Sequence, residues 1–483
     1  MNDAWPDAIY QKTFNDDWNG NPLIECLPPP LSEEQFISAA LSEPTFSPEE
    51  RLLPSHFRRH FIDRLVSLRI PTNEMSSAYG KFDVALRRGY ASRNPREPET
   101  RRAMYSREHI SCIEFEDPAN CLLLTGLSGS GKTTLLKTVV HAFPQVIVHH
   151  NIVPGIALQH QVVWLKVDCP HDAGLRTLCL AICDAFDRLL NTTYLKEWSR
   201  SRVSIEDLLQ GIAAMIRNLN VGVLVLDELQ HLRAAKAGGE MKMLNFLVNL
   251  SNTLNVPLVF AGTYTLESIM SRQLRNARRA TDSGTISIAR LKRSDPLWGA
   301  FVQRLWKFQW VMNPIDLSPD IEGELYEHTQ GLRGIAAKLF IGAQNLALDQ
   351  GTETVSAETL REAYARLFKP LHAAMNKLRL GTDERDPVFD ALLMEVPDLR
   401  GAAKNAAPSG TETGKKKSGN GRKKRPIDPS KCDRPSGLPG NASDQNGTNV
   451  DVRAADGDAH TQLAALGLLE NVSDEKSVLS TVV

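Results

Sequence analysis

The chain has 483 residues, enough for two or three domains of ~150 residues each. Hydrophobic residues make up 42% and can fill a packed core, whereas 56 basic against 57 acidic residues exclude a polycation that binds nucleic acid through its overall charge. No apolar stretch reaches the ~18 residues of a membrane span, and the N-terminus lacks a secretory pattern, so we expect no membrane association. The seven cysteines lack C-x-x-C spacing and are interpreted as buried thiols in a reducing cytoplasm.

The first 110 residues form a leader of mixed character. A Pro-rich piece at 21–30 predicts extended rather than helical backbone. Residues 47–70 interleave arginines with apolar side chains, and a second group of basic residues follows at 81–102. We interpret residues 1–110 as an N-terminal extension that contacts a partner or DNA.

From about residue 111 the pattern becomes α/β, because short apolar runs alternate with helical stretches. Such runs predict a parallel five-stranded sheet covered by helices on both faces, in a core at 111–293. The predicted strands lie at 121–125, 162–167, 221–226, 257–261 and, more weakly, 285–291.

Helical patterns alone occupy residues 294–380, which predicts an all-helical lid. Ser356 is a candidate N-cap for the last of these helices, predicted over 356–378. Residues 381–483 are interpreted as a largely disordered basic tail, because they have too few apolar residues to offset the entropy of ordering. A short apolar segment near the C-terminus could fold on a partner.

A complete phosphate-binding loop follows the first predicted strand. Its glycines let successive backbone N–H groups turn toward phosphate oxygens, and a helix N-terminus adds positive potential. The lysine can reach the β/γ-phosphates, and the threonine hydroxyl can ligate Mg²⁺. This predicts binding of ATP and Mg²⁺. The residues are Gly126, Leu127, Ser128, Gly129, Ser130, Gly131, Lys132 and Thr133, followed by Thr134.

An apolar strand ending in Asp227-Glu228 completes the pattern of an ATP-hydrolysing site. Asp227 would hold Mg²⁺ through water, and Glu228 would polarise the attacking water. Both would stand at the carboxyl edge of the sheet, where open α/β sheets bind ligands. The alternative is a solvated acidic pair at a strand end.

Three further positions are candidates for contact with the γ-phosphate. Thr263 ends the next strand and could orient the lytic water, or it could simply cap the following helix. Arg278 or Arg279 could reach the nucleotide of a neighbouring subunit, or could lie on a solvated or DNA-contacting helix face. Arg333, at a lid-helix start, could contact the nucleotide or remain a surface residue.

These residues, together with several longer blocks, resemble the TnsC/TniB family of AAA+ ATPases, most strongly its TnsC branch. The resemblance covers about residues 16–375. Beyond the P-loop, its specific blocks are Arg-Arg-Gly-Tyr-Ala-Ser-Arg-Asn-Pro at 87–95, Leu-Val-Leu-Asp-Glu-Leu-Gln-His-Leu at 224–232, Met-Leu-Asn-Phe at 243–246, Leu-Arg-Asn-Ala-Arg-Arg at 274–279 and Ala-Lys-Leu-Phe at 337–340.

The resemblance implies a bacterial cytoplasmic regulator of cut-and-paste DNA transposition. Such a protein binds ATP between subunits, assembles as a ring or filament on double-stranded DNA, and links a target-selector protein of the TniQ/TnsD kind to transposase subunits. Candidate phosphate contacts for binding to DNA include Lys166 and Arg176, although Arg176 could equally be a solvated helix residue. The tail departs from the TnsC pattern. An AAA+ loader of the Orc/Cdc6 sort and a non-hydrolysing ATP-switched scaffold remain as alternatives.

Overall fold

A computed structural model defines the fold of the chain. It describes residues 5–105, 121–153, 156–170, 174–200, 203–234, 243, 245–247, 251, 255–267, 270 and 284–393. All of them belong to one compact unit.

A five-stranded parallel sheet forms the centre, as the apolar runs predict. Its strand order is β4-β5-β6-β1-β7, and an antiparallel hairpin, β2-β3, forms a second sheet. The strands are β1 (Cys121–Gly126), β2 (Val146–Val153), β3 (Ile156–Val162), β4 (Trp164–Asp168), β5 (Val223–Asp227), β6 (Leu258–Gly262) and β7 (Thr285–Ile288). The apolar pattern did not predict the hairpin, because polar residues such as His149 and Gln161 interrupt it.

Helices precede, cover and follow the sheet. The first ones are α1 (Pro22–Glu25), α2 (Glu33–Ala40), α3 (Ser55–Ile62), α4 (Asn73–Ala91), α5 (Pro98–Tyr105), α6 (Lys132–Val140), α7 (Leu175–Leu190), α8 (Tyr194–Trp198) and α9 (Ile205–Asn218). After β7 come α10 (Pro296–Trp306), α11 (Pro319–Thr329), α12 (Arg333–Gln350), α13 (Ala357–Leu367), α14 (His372–Arg379) and α15 (Val388–Leu392). The 3₁₀ turns are Asp16–Trp18, Pro48–Leu52, Asp63–Ser67, Leu229–Ala234 and Lys369–Leu371.

Alternate residues of each strand pack on opposite faces of the sheet. Leu123 faces a cluster built by α7 and α9, whereas Leu122 and Leu124 face a cluster built by α4 and α6. Both faces are therefore buried, which explains why the strands read as nearly continuous apolar runs.

The leader is part of this packing. Phe82, Leu86 and Tyr90 of α4 lie against the sheet and are buried. Arg87 donates to Asp83 at 2.8 Å, and Arg93 donates to the carbonyl of Val221 at 2.7 Å. Arg93 therefore fastens the leader to the core, Arg87 pairs within the leader, and neither belongs to a free basic surface.

The Pro-rich piece at 21–30 is not wholly extended as the proline content predicts. Pro22–Glu25 forms the short helix α1, and Asn21 caps it by accepting from the N–H of Leu23 at 3.1 Å. Proline is tolerated at this first helical position, since its missing N–H would have no partner there.

A second part of the leader packs on the lid through Arg58. Its guanidinium donates to both carboxylate oxygens of Glu353, at 2.6 and 2.7 Å, and to the carbonyls of Leu53 and Trp310. The arginine is 2% exposed, so its charge is desolvated and fully partnered. These hydrogen bonds lower the pKa of Glu353 below its usual range.

The lid after β7 is helical throughout its described residues. Ser356 caps α13, as its position predicts, by accepting from the N–H of Thr359 at 3.2 Å. The single helix predicted over 356–378 instead breaks into α13 and α14, because Pro370 cannot continue a helix. Order also extends past 381: Phe389 and Leu393 are buried in the lid core. Residues 394–483, most of the predicted tail, lie outside the described residues.

Cys121, Cys179 and Cys183 are buried, in agreement with the interpretation of the cysteines as core thiols. Burial raises the pKa of Cys179 to about 12, so its thiol stays protonated at neutral pH. Within the described ranges, no helix combines the length and apolar character needed to cross a bilayer.

Replacing Arg58 with Met should lower the free energy of unfolding by about 3–5 kcal/mol, because it leaves the Glu353 carboxylate without its partner. The matched control is Arg59→Met. Arg59 pairs with Asp349 at the surface, where both side chains are 30% or more exposed, and its loss should cost less than about 1 kcal/mol. Denaturant melts of both variants measure the difference.

Acid should diminish the effect of Arg58→Met. The pKa of Glu353 is lowered in the folded chain, so the stabilisation is present above the ordinary glutamate pKa and is lost as pH falls through the lowered value. Equal destabilisation by the two variants at neutral pH would contradict this account of the Arg58–Glu353 pair.

Candidate functional site

The loop Gly126–Thr133 connects the end of β1 to the start of α6. Gly129 and Gly131 adopt φ values of 82° and 109°, which side chains rarely allow. A Cβ at Gly126 would lie 2.6 Å from the carbonyl oxygen of Ile288, on the neighbouring strand β7. The glycines therefore give the loop both its turn and its close fit to the sheet.

The lysine and the hydroxyl side chains of the loop have different surroundings. Lys132 is buried, and its ammonium donates to the carbonyls of Gly126 and Leu127, both at 2.9 Å. Ser130 Oγ is buried and has no hydrogen-bond partner among the described residues. Ser128 and Thr134 are half-buried at the two ends of the loop. The arrangement is a glycine cradle with one lysine ammonium and one unpartnered hydroxyl, that of Ser130, which fits a phosphate chain.

Asp227 is the last residue of β5 and lies beside the loop. Its Oδ2 is 3.4 Å from Thr133 Oγ1, and the residue is 1% exposed. A hydroxyl and a carboxylate oxygen side by side are hard ligands of the kind that Mg²⁺ prefers, so this pair fits the ion.

Glu228 follows in a left-handed conformation, with φ at 59°. Its N–H donates to Asp227 Oδ1 at 3.0 Å, and its carboxylate accepts from Gln230 Nε2. Non-glycine residues rarely adopt this backbone, and such strain is concentrated at functional sites. From adjacent positions, Asp227 contacts Thr133 of the loop and Glu228 contacts Gln230.

Gln230 connects Glu228 to Thr263. While its amide nitrogen holds the Glu228 carboxylate, its Oε1 accepts from the N–H of Thr263 at 3.3 Å. Thr263 Oγ1 is buried and lacks a partner among the described residues, so the hydroxyl does not cap the following helix. Sequence reasoning missed the bridging role of Gln230; its only signal was an amide two residues after the acidic pair.

Lys166 lies at this site rather than on a DNA-facing surface as proposed from sequence. It donates to Asp168 and lies 3.1 Å from Asp227 Oδ2. Burial acts to lower the pKa of Lys166, but the two carboxylates raise it overall, so the ammonium stays charged. Arg176, the other proposed phosphate contact, donates to the carbonyls of Val203 and Arg200. Both cations are committed to contacts within the chain.

Arg333 reaches the loop from the lid. Its guanidinium lies 3.4 Å from the carbonyl of Ser130, and the N–H of Gly334 donates to the carbonyl of Gly129 at 3.0 Å. Burial lowers the pKa of Arg333. Arg333 is therefore half-buried against the loop, and its contact with the nucleotide stays a prediction. Arg278 and Arg279 lie outside the described residues, so their role as trans-acting arginines stays a prediction.

Comparison with known proteins agrees with this geometry. Residues 116–270 match the family model described as an AAA domain. No curated protein sequence matches the chain significantly.

Three solved structures illustrate the structural neighbours. A Walker-type ATPase of Pyrococcus abyssi is 13% identical, with a TM-score of 0.37 over 56% of this chain and 73% of that one. ORC2 of Aeropyrum pernix is 15% identical, with a TM-score of 0.36 over 59% and 67%. Cdc6p of Pyrobaculum aerophilum is 11% identical, with a TM-score of 0.33 over 61% and 84%. Likeness this distant carries no argument about function. Residues 116–270 are thus similar to an AAA domain, and the parallel sheet with its P-loop has the AAA+ P-loop NTPase fold.

Proposed function

We propose that this chain is an ATP-hydrolysing, DNA-binding regulator of cut-and-paste DNA transposition. It assembles on duplex target DNA with ATP and Mg²⁺ bound, and it links a target-selector protein to transposase subunits. The ATPase part rests on one observation above all: Thr133 Oγ1 and Asp227 Oδ2, from two different elements, lie 3.4 Å apart beside the phosphate loop.

Within this proposal, each side chain has a distinct task. Lys132 neutralises the β/γ-phosphates, and the loop N–H groups orient them. Thr133 and Asp227 hold Mg²⁺, which, when bound, neutralises charge on the transferred phosphate. Glu228 accepts a proton from the attacking water, with its carboxylate positioned by Gln230. The buried hydroxyl of Thr263 donates toward the γ-phosphate or the water.

The transposition role is supported by the resemblance of the 87–95 and 224–232 blocks to TnsC-type proteins. The near-neutral chain is compatible with it, because an assembly sums a few phosphate contacts from each subunit. Contacts to the DNA backbone carry no sequence information, so a separate selector must choose the target. Arg278 or Arg279 would complete the site of the neighbouring subunit.

Replacing Lys132 with Ala should weaken binding of a fluorescent ATP analogue at least tenfold, since it removes the charged phosphate contact. ATP-dependent assembly on duplex DNA, seen by electron microscopy, should be lost with it. Lys137→Ala, an exposed position on the same helix, is the control and should behave as wild type. Normal DNA assembly by Lys132→Ala would rule out the ATP-gated mechanism.

The same variants test the transposition role in cells that carry a transposase encoded beside this gene. Insertion into target DNA should require the wild-type chain and fail with Lys132→Ala. The chain could instead assemble on DNA with ATP while insertion proceeds equally well without it. That result would contradict the transposition role and favour a replication loader of the Orc/Cdc6 sort.

Replacing Glu228 with Gln should leave ATP affinity nearly unchanged and reduce turnover about 100-fold or more, because the amide cannot accept the proton of the water. Assemblies on DNA should then persist after free ATP is removed. Phosphate release and the lifetime of the DNA complex are the two measurements. Rapid turnover by Glu228→Gln would sink the assignment of the base, whereas no turnover by wild type would favour the non-hydrolysing scaffold.

Replacing Arg333 with Met should weaken ATP-analogue binding about three- to tenfold, because its guanidinium lies against the loop and is within reach of a bound phosphate chain. Arg361→Met is the matched control: Arg361 is also a lid arginine, but it pairs with Glu324 at the surface. If both variants bind alike, Arg333 serves only to hold the lid.

A further inference from the structure

One carboxylate oxygen of Asp227 lies close both to a candidate Mg²⁺ ligand and to a cation that would repel Mg²⁺. Oδ2 lies 3.4 Å from Thr133 Oγ1, its fellow candidate ligand, and 3.1 Å from the ammonium of Lys166. The side chain of Asp227 is 2% exposed, so water cannot neutralise its charge. Lys166 therefore supplies the counter-charge that burial of this carboxylate requires.

A second carboxylate lies within hydrogen-bond distance of the same lysine. Lys166 also donates to Asp168, which lies two residues along β4 on the same face of the sheet. The parallel register pairs Asp168 with Asp227 directly across to β5. Asp168 is 69% exposed, in contrast to Asp227, so the ammonium lies between an inner and an outer carboxylate.

A divalent cation and an ammonium cannot both remain against Asp227 Oδ2 without strong repulsion at this distance. Binding of the ion at this oxygen, directly or through a water, therefore requires the ammonium to leave it, and a small rotation of the flexible lysine stem is sufficient while the ammonium keeps its contact with Asp168. The exchange keeps the buried carboxylate neutralised throughout.

We propose that Lys166 is an internal counter-ion that competes with Mg²⁺ for Asp227, and that its ammonium leaves Asp227 and stays on Asp168, which it already contacts, when Mg²⁺–ATP binds. This inference rests on the proposed ATP site but not on transposition. Lys166 is a positioning residue that sets the Mg²⁺ concentration needed for nucleotide binding. Its positive charge also opposes the binding of Mg²⁺ to Asp227 when ATP is absent.

The test is a Mg²⁺ titration of the full chain at a fixed concentration of a fluorescent ATP analogue. Replacing Lys166 with Met should lower the half-saturating Mg²⁺ concentration about three- to tenfold, as expected for removal of one partly buried ion pair. Lys137→Met, which removes an exposed lysine near the same site, should leave the midpoint unchanged. An unchanged or raised midpoint in Lys166→Met overturns the proposal.

Asp168→Asn gives an independent readout, and at this exposed position it should not disturb folding. Without the outer carboxylate, Lys166 is held on Asp227 alone, so the half-saturating Mg²⁺ concentration should rise severalfold. In the double variant the midpoint should equal that of Lys166→Met, because Asp168 acts only through the lysine. A further rise in the double variant would mean that Asp168 attracts Mg²⁺ directly and would contradict the proposed exchange.

Binding of the ATP analogue by wild type distinguishes failure of the proposed function from failure of the counter-ion role. If wild type does not bind the ATP analogue at any Mg²⁺ concentration, the proposed function fails. If wild type binds with a clear Mg²⁺ midpoint that Lys166→Met does not lower, only the counter-ion role fails. A purely structural Lys166–Asp227 pair would change the unfolding midpoint but not the Mg²⁺ dependence.

Discussion

The site depends on the parallel pairing of β5, β6 and β1. Parallel strands end at one edge, so the residues that follow them are gathered there whatever their separation along the chain. The register pairs Leu226 with Phe260 and Thr125 with Gly262. Asp227, Thr263 and the phosphate loop are therefore neighbours because three apolar strands hydrogen-bond in this alignment. A shift in register would separate the acidic pair from the loop without changing any residue of the site.

Cations from three separate elements lie around the site. Lys166 on β4 pairs with the buried Asp227, whereas Lys132 on α6 and Arg333 on the lid contact backbone carbonyls of the phosphate loop. A buried carboxylate is costly unless paired, so Lys166 stabilises the burial of Asp227 beside the loop.

The N-terminal leader contacts both the sheet and the lid. Its helix α4 covers one face of the sheet, and its segment around Arg58 is bound to the lid through Glu353 and Trp310. The lid in turn contacts the loop through Arg333 and Gly334. The leader therefore contacts both the sheet, from which the phosphate loop extends, and the lid, which packs on that loop.

Sequence patterns alone were enough to predict the class of fold and the phosphate loop. Periodicity and the glycine loop sufficed for the parallel sheet, the helical lid and the positions of Lys132 and Asp227, because those signals are local. Local patterns could not predict the β2-β3 hairpin, whose polar residues are buried against one another, or the helix break at Pro370 within an amphipathic pattern. Nor could they place Lys166, Gln230 and Arg333. The contacts of these three residues form only when elements that are distant in sequence pack together. Their burial and their partners are therefore properties of the tertiary structure.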